Sequence, residues 1–279
     1  MDKILIIDLN NILFRFVEIN KSLSYKGKRT GMLFGFLQTF CKYINEHQPD
    51  VVLVCGDKQP YKRKNIFPDY KNKPHSNDVD KALYIGNNRL YVTDVLSMMN
   101  IDVWKEDGYE ADDLEACITH KYNKEQIVIC SNDDDLYSLL NKNVFLQRNK
   151  SLYTEEDFWK DYPELKKFNT PVIWERIKAM SGNHNGVKNI YRGLGDKTAI
   201  NIITDDKKLE ELMCKYEKEF KFNLSLTKLP FDWQPLENIP ELNYNNKFSL
   251  RKLENCLMKD YGINITSAMS EAFQRLGGR

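Results

Sequence analysis

The sequence predicts an α/β protein: a mostly parallel central sheet flanked by helices, followed by a helical region. Three observations carry that expectation. Short apolar runs recur through the first half of the chain, segments of helical period separate them, and acidic residues follow one run after another. Strands alternating with helices imply crossover connections and a parallel sheet.

The elements follow in order. Lys3-Ile4-Leu5-Ile6-Ile7-Asp8 is an apolar run closed by an acid and reads as a buried parallel strand. Residues 31–46 repeat apolar side chains at Leu33, Phe36, Leu37, Phe40 and Ile44, the spacing of a helix face. Val51 to Cys55 is a second strand, closed by Asp57. The next stretch, about 25 residues, is polar, basic and poorly periodic, which marks a functional insertion in a compact domain. A helix resumes near Asp80 and runs towards Met99, with Gly86 its weak point. Ile101 to Trp104 is a third strand, 111–122 a helix with Leu114, Ile118 and Tyr122 on one side, and Gln126 to Cys130 a fourth strand. A helix begins at Asp133, and Val144 to Leu146 is a fifth strand.

Beyond residue 169 the pattern turns helical. Thr170-Pro171 opens a helix holding Ile173, Trp174, Ile177 and Met180. A Gly/Asn-rich turn over 182–195 precedes a helix from Asp196, 222–246 reads as irregular, and helices over 248–261 and 266–276 close the chain. This divides the chain into a core over 1–169, with its insertion near 58–88, and a helical region over 170–279.

Composition narrows the class. The 279 residues are 42% hydrophobic and 29% charged, a soluble globular balance. No apolar run approaches the ~20 residues of a membrane helix, and the N-terminus lacks the pattern of a signal peptide, so a cytoplasmic protein without membrane contact is expected. None of the six cysteines forms a C-x-x-C pair, which argues against a zinc ribbon and for buried thiols. Net charge is +1, but its distribution is uneven: Lys58, Lys62, Arg63, Lys64, Lys71 and Lys73 stand against Asp69 alone, while acids gather at 107–113 and 133–135. That pairing suits a phosphate backbone and a cation, although a solvated surface is the plainer reading of any one run.

Glu110-Ala111-Asp112-Asp113 puts three carboxylates at a strand-to-helix junction. The helix dipole accounts for one or two acids in a first turn, not for three joined by Asp8 and Asp57 from other strand ends. Hard oxygen donors gathered from separate loops suit Mg²⁺ or Mn²⁺. Asn132-Asp133-Asp134-Asp135 offers a second acidic site or a helix cap. Divalent cations neutralise a phosphodiester, activate water and stabilise the leaving oxygen, and a lysine or arginine assists at the phosphate. His47, His75, His120 and His184 are scattered and read as structural. Gly193-Leu194-Gly195-Asp196-Lys197-Thr198 precedes a helix; it is either a tight inter-helix turn or a helix–hairpin–helix turn that grips a DNA backbone.

Together these residues resemble the 5′ nuclease (flap endonuclease) family, which includes the N-terminal nuclease domain of bacterial DNA polymerase I and bacteriophage 5′–3′ exonucleases. The resemblance runs in order through Ile6-Ile7-Asp8-Leu9-Asn10-Asn11, Gly56-Asp57-Lys58, the block from Lys62 to Lys71, Glu110-Ala111-Asp112-Asp113, Ser131-Asn132-Asp133-Asp134-Asp135-Leu136, and Gly193 to Ala199. Lys62 stands where the family has Phe. The resemblance implies a PIN-like nuclease core and a helix–three-turn–helix. It implies a first metal site of Asp8, Asp57, Glu110, Asp112 and Asp113, half of a second at Asp133 and Asp135, and assistance at the scissile phosphate by Arg63 and Lys71. Arg15, Lys62, Lys64, Tyr70, Gly193, Gly195 and Lys197 would contact DNA, with K⁺ at the glycine turn. One departure is plain: Gly182-Asn183-His184-Asn185-Gly186 stands where the family reads Gly-Asp-x-x-Asp, so both second-site aspartates are missing. The implied function is Mg²⁺-dependent 5′–3′ exonuclease and flap endonuclease action on branched or 5′-ended DNA, including RNA primer–DNA hybrids, by a monomer in replication. The resemblance also implies that the insertion near 58–88 forms the family's helical arch. The alternative is a non-cleaving branched-DNA-binding protein; an RNase without that arch and a phosphatase acting through Asp8 and Asn10 explain less. No motif names a protein partner.

Overall fold

A computed structural model describes residues 1–72, 78–183, 186–233 and 236–278. Lys73, His75, His184 and Asn185, weighed above, lie outside them. The chain opens with β1 (Lys3–Asp8) and a short α1 (Leu9–Phe14), then a two-stranded ribbon, β2 (Ser24–Tyr25) and β3 (Lys28–Arg29). There follow α2 (Gly31–His47), β4 (Val51–Cys55), α3 (Tyr61–Ile66), α4 (Val79–Met98), β5 (Val103–Trp104), α5 (Ala111–Lys121) and β6 (Gln126–Cys130). A 3₁₀ turn over Asp134–Leu139 leads to the hairpin of β7 (Val144–Arg148) and β8 (Ser151–Tyr153). The rest is helical: α6 (Glu155–Asp161), α7 (Ile173–Ser181), α8 (Asp196–Ile203), α9 (Asp206–Thr227), α10 (Leu250–Tyr261) and α11 (Ser267–Arg275).

The main sheet has the order β5-β4-β1-β6-β7-β8 and is parallel except for β8. β1 lies at its centre, with Asp8 opposite Cys55 and Ile7 opposite Cys130. Successive side chains of β1 face opposite ways. Ile4 and Ile6 join a core with α5, α6, α7 and α8, whereas Leu5 and Ile7 join one with α2, α4, α10 and α11. Burial on both faces is why the strands read as unbroken apolar runs rather than as alternation. Among the described residues no helix is long and apolar enough to cross a membrane.

Several expectations are corrected. The polar stretch after Cys55 is not uncompacted throughout: α3 lies within it and is pinned by Arg63. The segment from Asp133 is a 3₁₀ turn, closed locally by the Asp133 carboxylate accepting from the Asp135 amide at 2.9 Å. Residues 222–227 are not irregular but complete α9, a helix the apolar spacing hid because the backbone leaves helical geometry at Tyr216 (φ −135°). Cys214 is exposed and Cys256 partly so, although the other four thiols are buried.

Candidate metal centre

The acids meet at the carboxyl edge of the sheet, where ligands of parallel sheets collect. Asp8 ends β1 and caps α1: its Oδ1 accepts from the Asn11 amide and its Oδ2 from Ser131 Oγ, both at 3.0 Å. Burial, reinforced by the charges of Asp57 and Asp133, raises its carboxyl to about 7. Asp57 follows β4 and is exposed; its Oδ1 accepts from the Ala111 amide at 2.8 Å and its Oδ2 from Asn10 Nδ2. Glu110 and Asp112 enter from the start of α5. Burial, then the charges of Asp113 and Glu110, raises Asp112 well above the ordinary carboxylate range. Carboxylates that burial and mutual repulsion push towards protonation gain most from a divalent cation, and this all-oxygen donor set fits Mg²⁺ or Mn²⁺.

Asp113 is a different matter. Glu110, Asp112 and Asp113 each place an oxygen within 4.8 Å of the others. Yet Asp113 is fully buried, and both its oxygens are taken. Arg63 Nη1 and Nη2 donate to it at 2.5 and 2.8 Å, the Phe231 amide at 2.8 Å and the Glu110 amide at 3.1 Å. Asp113, expected among the metal ligands, thus has both oxygens engaged by protein donors. Arg63, expected at the scissile phosphate, is its main partner. The guanidinium is 1% exposed, forks onto Asp113 and donates through Nε to the Leu226 carbonyl at 3.0 Å, so it clasps α3 to α5 and α9. Tyr70, expected to contact DNA, is buried at 2% exposure and its hydroxyl donates to Glu110 Oε2 at 2.8 Å.

Lys71, expected to assist at the scissile phosphate, lies beside Glu110. Its ammonium pairs with Glu110 Oε1 and stays 37% exposed. Burial opposes the charge, but Glu110 and Asp112 outweigh it and the ammonium is held firmly protonated. Its backbone adopts φ +50°, a left-handed conformation uncommon for a residue with a side chain.

The second acidic pair is built differently from the first. Asp135, raised to about 7 by burial and by Asp133, has Lys178 Nζ 3.7 Å from its Oδ1. The same ammonium lies 3.4 Å from Asp196 Oδ2. Lys178 escaped the sequence analysis; its only signal is a charge on the otherwise apolar face of α7. Gly186, where an aspartate is missing, has φ +99°, and a Cβ there would stand 3.2 Å from the Asp69 carbonyl oxygen. A side chain at that position would be strained.

The residues expected to contact DNA lie in separate places. Arg15 donates to Asn11 Oδ1 at 2.9 Å and to Tyr43 at 3.2 Å. It lines a groove of about 750 Å³ with Phe16, Lys42, Tyr43, Arg148 and Lys150. Lys62 donates to the Tyr109 hydroxyl at 2.7 Å, and Lys64 is half-buried on α3. Gly193 (φ +89°), Gly195 and Lys197 are exposed on the far side of Asp196, and Gly193 needs its left-handed backbone to make the turn into α8.

Sheet and site together define an α/β protein with carboxylates gathered at the carboxyl edge of a parallel sheet. More narrowly, the chain belongs to the 5′–3′ exonuclease family, whose N-terminal resolvase-like domain matches residues 3–163. It is 29% identical over 230 residues to a DNA polymerase I of Caldicellulosiruptor bescii, covering 77% of this chain but 26% of the polymerase. It is 28% identical over 221 residues to a 5′–3′ exonuclease of Mycoplasmopsis pulmonis, covering 77% of this chain and 71% of that one. The chain thus spans about a quarter of the polymerase relative and most of the stand-alone exonuclease. Its fold is that of the T5 D15 protein co-crystallised with metal ions (TM-score 0.65, 17% identity, 98% of both chains). The catalytic core of Rad2 in complex with DNA substrate is also similar (TM-score 0.56, 14% identity, 99% of this chain and 91% of that one).

Proposed function

We propose that this protein is a structure-specific 5′ nuclease that hydrolyses phosphodiester bonds near junctions of single-stranded and duplex DNA. The observation that carries the reading is the meeting of Asp8, Asp57, Glu110 and Asp112 at the sheet edge, with the Lys71 ammonium on Glu110. Asp8, Asp57, Glu110 and Asp112 would hold Mg²⁺, for which Mn²⁺ substitutes. The bound ion supplies charge neutralisation and a water of lowered pKa. Lys71 binds the scissile phosphate and stabilises the charge that develops on it. Arg63 and Asp113 keep Glu110 and Asp112 in register but touch no substrate.

Branched or 5′-ended DNA, with an RNA primer–DNA hybrid as a related substrate, is the ligand class we infer; the Rad2 neighbour is a complex with DNA. The glycine turn at Gly193 and Gly195, with Lys197, would hold the duplex backbone as a helix–three-turn–helix and take K⁺ on its carbonyls. We place the protein in the cytoplasm, as a monomer acting in replication. The test is cleavage of a 5′-labelled flap duplex with Mg²⁺ by wild type, Asp112→Asn and Asp57→Asn. Asp113 is left intact, because removing it would orphan the buried Arg63. Cutting near the junction by wild type alone supports the reading. Tight junction binding without cutting by all three proteins would establish the non-cleaving alternative.

A further inference from the structure

α5 carries a buried acid that the site as described does not use. Glu115 is fully buried, and neither of its carboxylate oxygens has a hydrogen-bond partner. Buried polar groups are almost always satisfied, and an ionised carboxylate left alone is among the costliest groups a core can hold. Its neighbourhood is more acidic still. Glu115 follows Asp112 by three residues, so both lie on the same side of α5. After burial itself, the groups acting on it are Asp8, Asp112, Asp133 and Asp57. Glu115 in turn acts on Cys55 and Cys130, the last residues of β4 and β6 on either side of β1. The carboxylate therefore feels the acids of both groups at the strand ends, Asp8, Asp57 and Asp112 as well as Asp133. In an apolar core it would be a defect; beside a cation it is a donor.

We propose that Glu115 supplies a further carboxylate to the divalent-cation site, its two orphaned oxygens being satisfied by the ion or by water the ion holds. The inference rests on the metal-dependent reading above.

Mn²⁺ binding to the metal-free protein without DNA, followed by calorimetry and by electron paramagnetic resonance of free Mn²⁺, tests this. Glu115→Gln keeps the shape and removes the charge; Glu115→Leu removes both the charge and the polar atoms and serves if the amide variant folds poorly. Wild type should bind Mn²⁺, and either variant should bind it about 10- to 100-fold more weakly, the range for losing a group that supports a metal site. Equal affinity in wild type and variants would make Glu115 a protonated core residue and overturn the inference while leaving the metal-dependent reading intact. No Mn²⁺ binding by wild type would overturn both.

Discussion

Two cations of one short segment, Arg63 and Lys71, separate structure from chemistry at the scale of single residues. Arg63 is sealed against Asp113, and removing one partner of a buried pair leaves the other uncompensated. Arg63→Ala should therefore cost roughly 3–5 kcal/mol in urea unfolding of the metal-free protein, whatever it does to cleavage. Lys71 is partly exposed, but its partner Glu110 is buried, so removing the ammonium costs stability as well, though less than opening the sealed Arg63–Asp113 pair. Lys71→Ala should stay folded, moderately less stable than wild type, and cleave a flap about 10²- to 10³-fold more slowly at saturating Mg²⁺. The reverse pattern, a fully stable Arg63→Ala that no longer cuts, would return Arg63 to the phosphate. The sequence could not tell these cations apart. Both lie in one basic block, and only the fold shows that one faces Asp113 and the other the edge of the site.

Among the elements, α7 carries a pH dependence of its own. Glu175 is buried against the turn after α9, its Oε1 accepting from the Leu229 amide at 3.1 Å, and burial raises its carboxyl from 4.5 to about 7. Below pH 4.5 the acid is protonated in folded and unfolded chains alike. Between 4.5 and 7 the unfolded chain has released its proton and the folded one has not, so stability falls as pH rises through that window, and above 7 the loss is complete. At about 1.4 kcal/mol per pKa unit the loss is on the order of 3 kcal/mol. Glu175→Gln, whose amide oxygen can still accept from Leu229, should match wild type at acid pH and exceed it by that order at pH 8, read as unfolding free energy. Parallel stability curves for the two proteins would sink the assignment. What was legible at this scale was period. The strands, α2 and α5 show an uninterrupted apolar repeat, whereas α9 breaks its helix at Tyr216 and splits its repeat into two weak halves. The 3₁₀ turn after Asp133 shares its starting signals with a helix and differs only in how soon it closes.

The division of the whole chain was the least legible feature, because sequence order does not reveal which surfaces meet. Residues 170–279 read as an appendage to an α/β core. In the fold, α10 and α11 instead complete the core on one face of the sheet: α11 packs on α2, and Leu253, Leu257, Ala272 and Phe273 are fully buried beside Leu5 and Ile7. The acids at the strand ends, by contrast, were readable, since a parallel sheet brings its carboxyl ends together whatever follows. Fully burying a large apolar side chain contributes about 1.5–3 kcal/mol, and the loss of Leu253, Leu257, Met269 and Phe273 together rivals the 5–15 kcal/mol by which a domain is stable at all. A chain ending at Asn246 should therefore lose cooperative thermal unfolding and near-ultraviolet dichroism, although it retains Asp8, Asp57, Glu110, Asp112 and the glycine turn. A truncated protein that unfolds cooperatively near the wild-type temperature would show that the two C-terminal helices are an appendage after all. The outcome matters for the chemistry, because β1 carries Asp8 at its end and buries Leu5 and Ile7 against the face those helices complete.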